Sequence, residues 1–299
     1  MRRAGSWTTE RIDNNNDQAG DRDVSEQAKP DRYGVMGYPV SHSRSPIIHR
    51  VFAQQTGQNI SYELFEVPPP ELEAAIRAFQ RQGGRGLNIT VPHKSEAVRL
   101  VDELSEAASI AGAVNTLTIT PGSIHGDNTD GVGLVRDLRR NYRVPMDGAR
   151  ILILGAGGAT RGIMAPLLEE QPTTITLANR TVSKAQALAN HFGSLGEVLA
   201  CRFDDIVLDV DYDLVINATS AGVRGEALPF PDGIVTGNTV CYDLSYATGD
   251  TPFTRWAKGR GAARAIVGWG MLVEQAAESF YLWRGVRPDT KGVLKRLPR

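Results

Sequence analysis

Two hydrophobic rhythms divide the chain. Between residues 150 and 267 short apolar runs recur: ILIL (151–154), TITLA (174–178), VLACR (198–202), DLVINA (213–218), TVCYDL (239–244) and ARAIV (263–267). Runs this short and this aliphatic predict strands buried on both faces. Residues 159–170, 183–192 and 252–259 fill the gaps as expected helices. Strands alternating with helices predict a doubly wound parallel sheet of the Rossmann kind.

Upstream, residues 61–67 (SYELFEV) read as a strand and Pro68, Pro69 and Pro70 open a helix. That helix places Leu72, Ala75, Ile76 and Phe79 at i, i+3, i+4 and i+7. Gly83 and Gly84 stop it, and residues 86–91 (GLNITV) form a second strand that Pro92 ends, because proline cannot donate to a central ladder. The β-α-β order predicts parallel pairing. Residues 270–284 then carry Leu272, Val273, Ala276, Phe280 and Trp283 at helical spacing. The second sheet is complete before this helix begins, so the helix is expected to cross back to the first domain.

The expected fold class is therefore α/β. An N-terminal α/β domain (30–130 plus 269–299) is joined to a doubly wound domain (131–268), with a cleft between them. Gly131, Gly133, Gly268 and Gly270 lie at the two crossovers and are candidate hinges. Residues 1–29 hold 11 charged residues without an apolar period. They are expected to be a disordered tail.

Composition narrows the function. The chain has 299 residues, with 33 Lys and Arg against 34 Asp and Glu, a net charge of -1. That balance argues against a dedicated binder of nucleic acid or of an anionic membrane, and leaves room for a local cationic site. The longest apolar stretch, 151–159, is about half of the roughly 20 residues a membrane helix needs. Cys201 and Cys241 are too few and too far apart for a zinc or CxxC motif, and a reducing cytoplasm is the expected location. Five dispersed histidines lack ligand spacing, so no metal is expected. A homodimer is compatible with all of this.

In ILILGAGGATRG an apolar strand is followed by Gly155, Ala156, Gly157, Gly158 and Ala159, and then by a helix. This is the context in which a glycine turn holds a dinucleotide. One glycine makes the turn, another lets the backbone approach the pyrophosphate, and the helix N-terminus offers free N–H groups. Thr160 occupies the place of the third fingerprint glycine. After the second strand comes ANRTVSK. An NAD enzyme usually has an acidic residue there for the ribose 2′-hydroxyl. Here Asn179 fills the slot, and Arg180 and Lys184 follow. A guanidinium pairs with a 2′-phosphate that a carboxylate would repel, so NADP(H) is the expected cofactor.

Three upstream segments are dense in polar groups: YGVMGYPVSHSRSPIIH (33–49), NITVPHK (88–94) and the stretch from AGAVNTL (111–117) to GDNTDGVG (126–133). They supply hydroxyls, amides, a lysine and an aspartate, a set suited to a small polyhydroxylated anion.

With HSRSP, NITVPHK, AGAVNTL, NTDGVG, GAGGATR, NRT, INATSAG, YDLSY and GMLVEQAA in order, residues 32–298 resemble the shikimate dehydrogenases. These are NADP-dependent oxidoreductases of aromatic amino-acid biosynthesis. The resemblance implies reversible reduction of 3-dehydroshikimate to shikimate, with Lys94 and Asp130 as the catalytic pair. It implies that Ser43 and Ser45 hold the substrate carboxylate, and that Asn88, Thr90, Asn115 and Asp130 read the ring hydroxyls. Tyr246 and Gln275 would reach the substrate from across the cleft. The 155–159 turn would cradle the pyrophosphate, and Asn179, Arg180, Thr181 and Lys184 the 2′-phosphate. Thr219 and Gly268 would flank the nicotinamide. Val267 and Trp269 depart from the family, which often has Asp and Leu there. Two alternatives stand beside this reading: a quinate/shikimate dehydrogenase of broader specificity, and a non-catalytic NADP-binding regulator on the same fold.

Overall fold

The structure is a computed structural model that describes residues 29–219, 221 and 230–296. The expected disordered tail lies, except for its last residue, outside the described residues.

The first sheet contains β1 (Asp31–Gly37), β2 (Ile60–Glu66), β3 (Gly84–Ile89), β4 (Glu103–Leu104), β5 (Thr116–Ile119) and β6 (Ile124–Asp127), in the order β2-β1-β3-β5-β6-β4. The expected β-α-β unit is β2, helix α2 (Leu72–Arg81) and β3. Its strands run parallel, but β1 lies between them and pairs with both. The hydrophobic pattern did not announce β1, because two of its seven residues are glycines. Gly34 has a steric reason: a Cβ there would stand 2.5 Å from the Phe65 ring on β2. β5 pairs antiparallel with β3 and with β6, so the sheet is mixed.

Alternation along these strands separates two layers. Leu72, Ile76 and Phe79 of α2 pack with Leu87 and Leu117 on one face. On the other, Ile48 and Phe52 of α1 (Ser45–Thr56) meet Val273, Ala276 and Phe280 of α8 (Trp269–Arg284). The late helix thus returns to the first sheet, as its position after six strands requires.

The second sheet holds β7 (Arg150–Leu154), β8 (Thr174–Ala178), β9 (Val198–Cys201), β10 (Leu214–Asn217), β11 (Val240–Asp243) and β12 (Arg264–Val267). All are parallel, in the order β12-β11-β10-β7-β8-β9. Ile151 and Ile153 face one core while Leu152 and Leu154 face the other, which is why the strands read as continuous apolar runs. The order reverses between β7 and β10, and a ligand crevice is expected outside the carboxyl ends of such neighbours. Helices α5 (Gly158–Glu169), α6 (Val182–Phe192) and α7 (Pro252–Gly259) match the expected spans within a residue or two. The short α3 (Glu106–Ala111) and α9 (Thr290–Arg296) complete the set with α4 (Asp130–Arg136), which leads into a π-helical turn, Asp137–Tyr142.

The crossover glycines, expected as hinges, each make a close approach that a side chain would obstruct. None of the four has a positive φ. A Cβ on Gly131 would lie 2.5 Å from the Pro166 ring and 2.6 Å from the Gly162 carbonyl of α5. On Gly133 it would lie 2.7 Å from Gln275 Cβ, on Gly268 2.6 Å from the Leu244 carbonyl, and on Gly270 it would strike the Asp137 carboxylate. These glycines let α4 lie against α5 and α8, and let β12 turn into α8.

One residue of the α1 layer makes stability depend on pH. His49 is fully buried, stacks on Tyr62 at 4.2 Å, and has no hydrogen-bond partner for either ring nitrogen among the described residues. Burial lowers its pKa to about 3, against the opposing pull of the nearby Asn88 amide. The unfolded chain therefore takes up a proton between about pH 6.5 and pH 3 that the folded chain refuses. The group's contribution is complete above pH 6.5 and declines as pH falls, by about 1.4 kcal/mol per pH unit. His49→Phe is expected to remove this slope. Between pH 6.5 and 5, urea unfolding of the parent should lose about 2 kcal/mol more than that of the variant; equal losses would show that His49 is not held neutral.

Candidate functional site

Lys94 lies on the loop after β3, where Val114 N–H donates to its carbonyl at 2.8 Å. Asp130 is the first residue of α4. The two converge with Lys94 Nζ donating to Asp130 Oδ2 at 2.6 Å, their side chains only 14% and 5% exposed. A charge-assisted hydrogen bond this well screened from water differs from the surface pairs that contribute little.

An amide frame holds the carboxylate. Asn115 Oδ1 accepts from the Thr129 backbone N–H at 2.9 Å. A backbone N–H can only donate, which fixes the amide and turns its Nδ2 toward Asp130 Oδ1 at 2.9 Å and Gln275 Oε1 at 3.4 Å. Asn88 is fixed by the same logic. Its Nδ2 donates to the Asn115 carbonyl (3.2 Å), Thr116 Oγ1 (3.2 Å) and Ser279 Oγ (3.0 Å), while its Oδ1 accepts from the Tyr62 hydroxyl (2.7 Å). Asn88 and Thr116 face each other across the antiparallel β3–β5 pair. Gln275 and Ser279 stand one turn apart on α8. The returning helix thus closes the site from above the sheet.

A second cluster collects the hydroxyls expected for a carboxylate. Ser43 Oγ donates to Ser45 Oγ at 3.2 Å, where α1 begins. Tyr246, on the loop after β11, stands at Ser43 and the Arg44 backbone. Burial raises its pKa, while those two contacts and the Arg44 charge pull it down. The Arg44 side chain is exposed, yet its charge reaches the Tyr246 hydroxyl. Thr90 sits at the end of β3, its N–H donating to the Met36 carbonyl at 2.9 Å.

The glycine turn occupies the carboxyl end of β7. Gly155 has φ +110°, a conformation L side chains rarely adopt, and a Cβ there would lie 3.0 Å from Thr219 Cγ2. A Cβ on Gly157 would meet nothing within 4 Å, so open space lies before the start of α5. A Cβ on Gly158 would come within 3.7 Å of Lys94 Cβ. The turn, which includes Ala156 and Ala159, therefore faces the Lys94 loop of the other sheet. Thr160, in the third glycine's place, is buried and donates its hydroxyl to the Gly155 carbonyl at 2.9 Å, bracing the turn. The close-packing role falls instead to Gly162, where a Cβ would lie 2.9 Å from Asp130 Oδ2.

At the end of β8, Asn179 Nδ2 donates to the Thr181 carbonyl at 2.8 Å. Arg180, Thr181 and Lys184 are exposed, and neither cation forms an ion pair among the described residues. A neutral amide, two uncommitted cations, an open glycine and a helix start fit a dinucleotide with a 2′-phosphate. Of the two residues expected to flank the nicotinamide, Thr219 donates through N and Oγ1 to Asn217 Oδ1, and Gly268 N–H donates to the Ser245 carbonyl.

The sequence reading did not single out six contributors: Tyr62, Thr116, Thr129, Ser279, Asn217 and Asp243. Buried Asp243 accepts from Asn217 Nδ2 (3.0 Å), Ser245 N–H (3.0 Å) and Thr251 Oγ1 (2.5 Å), so it ties the Tyr246 loop to the Thr219 turn. Burial raises its pKa and these donors oppose the rise. The available signal was a polar residue ending each of two apolar parallel strands, Asn217 on β10 and Asp243 on β11. Among the described residues no three His, Cys, Asp or Glu gather as metal ligands. An open hollow of about 410 Å³ beside the end of α1, lined by Arg50, Gln54 and Asn59, lies apart from these groups and holds no acid–base pair.

Comparison with known proteins agrees with this arrangement. Residues 35–117 match the shikimate dehydrogenase substrate binding domain, 138–223 the shikimate / quinate 5-dehydrogenase family, and 268–297 the shikimate 5′-dehydrogenase C-terminal domain. A protein of Alkalilimnicola ehrlichii named shikimate dehydrogenase (NADP(+)) is 53% identical over 89% of this chain and 98% of its own. Among solved structures, the Ael1 enzyme of Pseudomonas putida superposes with a TM-score of 0.81 at 43% identity, over 90% of this chain and 98% of its own. Shikimate 5-dehydrogenase of Thermus thermophilus, solved with NADP(H) and shikimate, gives a TM-score of 0.77 at 34% identity, over 88% and 96%. Matched along its length by these three family models and 53% identical to a named member over 89% of its residues, the chain belongs to the shikimate dehydrogenase family.

Proposed function

We propose that the chain catalyses the reversible NADPH-dependent reduction of 3-dehydroshikimate to shikimate in aromatic amino-acid biosynthesis. The observation that carries this is the buried Lys94–Asp130 contact facing the glycine turn. When bound, the nicotinamide supplies a hydride to the substrate's carbonyl carbon. The carbonyl oxygen then gains negative charge and needs a proton. Lys94 Nζ stabilises that oxygen and delivers the proton, and in the reverse direction accepts it. Asp130 keeps the ammonium aimed and accepts from a ring hydroxyl, while Asn115 Nδ2 holds its second oxygen in place.

Ser43 and Ser45 take the carboxylate, with Tyr246 closing over it, and Asn88, Thr90, Asn115 and Gln275 read the ring hydroxyls. Gly155, Ala156, Gly157, Gly158 and Ala159 take the pyrophosphate. Asn179, Arg180, Thr181 and Lys184 take the 2′-phosphate, and Thr219 and Gly268 border the nicotinamide. The substrate unit comprises 30–130 with 269–299, and the cofactor unit 131–268. The division of the two sheets and the return of α8 support these bounds. A cytoplasmic location belongs to the same proposal, and two free cysteines, one fully buried, suit a reducing compartment. Among the described residues no helix is long and apolar enough to cross a membrane.

A broader quinate/shikimate activity uses the same groups, and the central family match carries both substrates in its description. Comparing kcat/KM for quinate and shikimate at 340 nm separates the two. A regulator without activity has no use for a buried proton donor against the cofactor turn. Lys94→Ala is expected to lower kcat by about 10²–10⁴-fold; a kcat within about threefold of the parent would remove Lys94 from the mechanism. Arg180→Ala is expected to raise the NADPH KM on the order of tenfold or more while sparing NADH. An unchanged NADPH KM would mean that the 2′-phosphate binds elsewhere.

A further inference from the structure

Tyr62 occupies a position that the mechanism above does not use. It lies on the edge strand β2, and its ring points to the face covered by α1 and α8, where His49 stacks on it at 4.2 Å and 7°. The Trp283 ring of α8 lies 6.4 Å away. The residue as a whole is half-buried, but the hydroxyl is enclosed. It donates to Asn88 Oδ1 at 2.7 Å, and the Ser45 hydroxyl and the Tyr246 phenol are also near it. Burial raises the phenol's pKa well above 10, so it remains a neutral donor across the working range of pH.

Asn88 spends its Nδ2 on three acceptors, the Asn115 carbonyl, Thr116 Oγ1 and Ser279 Oγ. Its Oδ1 has Tyr62 as its hydrogen-bond donor. Removing that donor leaves the Nδ2 contacts alone to set the tilt of a buried amide, with its Oδ1 short of a hydrogen bond. The same phenol stands beside Ser45. It therefore lies between the residue proposed to read a ring hydroxyl and the one proposed to hold the carboxylate.

We propose that Tyr62 is a positioning residue for the substrate, holding the Asn88 amide in register with the Ser43–Ser45 pair so that both ends of the molecule are gripped at the correct spacing. The inference rests on the substrate assignment above. Binding energy lost at such a residue appears in the ground state and the transition state alike, so it shows in KM rather than kcat.

The test is Tyr62→Phe, which keeps the ring stack and removes only the donor. The parent is assayed first with shikimate and NADP; absence of turnover there would refute the functional reading and not this inference. With an active parent, Y62F is expected to raise the shikimate KM about tenfold, with kcat within about threefold and the NADP KM unchanged. In an Asn88→Ala background the same change should add less than twofold, because Tyr62 acts through Asn88. A shikimate KM within twofold of the parent would overturn the proposal, as would a penalty that persists in full without Asn88. If Y62F fails to fold, 4-fluorophenylalanine at position 62 fills the space of tyrosine without donating, and the same two outcomes decide.

Discussion

A lysine and an aspartate cannot be buried together cheaply. Each loses its hydration, and the pair persists only where geometry and further hydrogen bonds restore what water supplied. Lys94 and Asp130 meet that condition at 2.6 Å because Asn115 takes the second carboxylate oxygen and Thr129 fixes Asn115 in turn. Most of the surrounding architecture serves this contact. Lys94 is carried by the end of the first sheet, and Asp130 starts the helix that leads to the second. Gly162 is bare because a side chain there would displace Asp130, and Gly131 is bare so that α4 can lie on α5.

The same contact explains why the first unit is discontinuous. An amide frame built only on β3 and β5 would be open on its upper face. Helix α8, arriving after the second sheet is complete, covers that face with Gln275 and Ser279 and packs Phe280 against Phe52. The cofactor turn approaches from the other side, with Gly158 beside Lys94. The proposed proton donor therefore lies where the two sheets face each other, the place a hydride and a proton would have to meet.

The second sheet was legible strand by strand, because six runs buried on both faces have one reading and their turns are marked by glycine and polar residues. The first sheet was legible only in part. β1 carries two glycines, one of them making room for Phe65, and β4 to β6 are two to four residues long, too short for a period to appear. Lys94, Asp130 and the serines stood out because they sit in dense polar motifs. Tyr62 and Ser279 did not, because each looks like an ordinary member of a strand or a helix. Their importance comes from pairings across 26 and 191 positions of sequence, which only the folded chain brings together. The crossover glycines show the opposite limit. Sequence suggested freedom of rotation, and the crowding around them appears only in the folded chain.

The central claim is that Lys94 and Asp130 act as one catalytic unit. A double-mutant cycle on kcat/KM for shikimate oxidation tests it most directly, using Lys94→Ala, Asp130→Asn and the combined variant. If the pair is a unit, the double variant is expected to lose about as much as the worse single one. Losses that multiply would contradict the account, since each residue would then be acting alone.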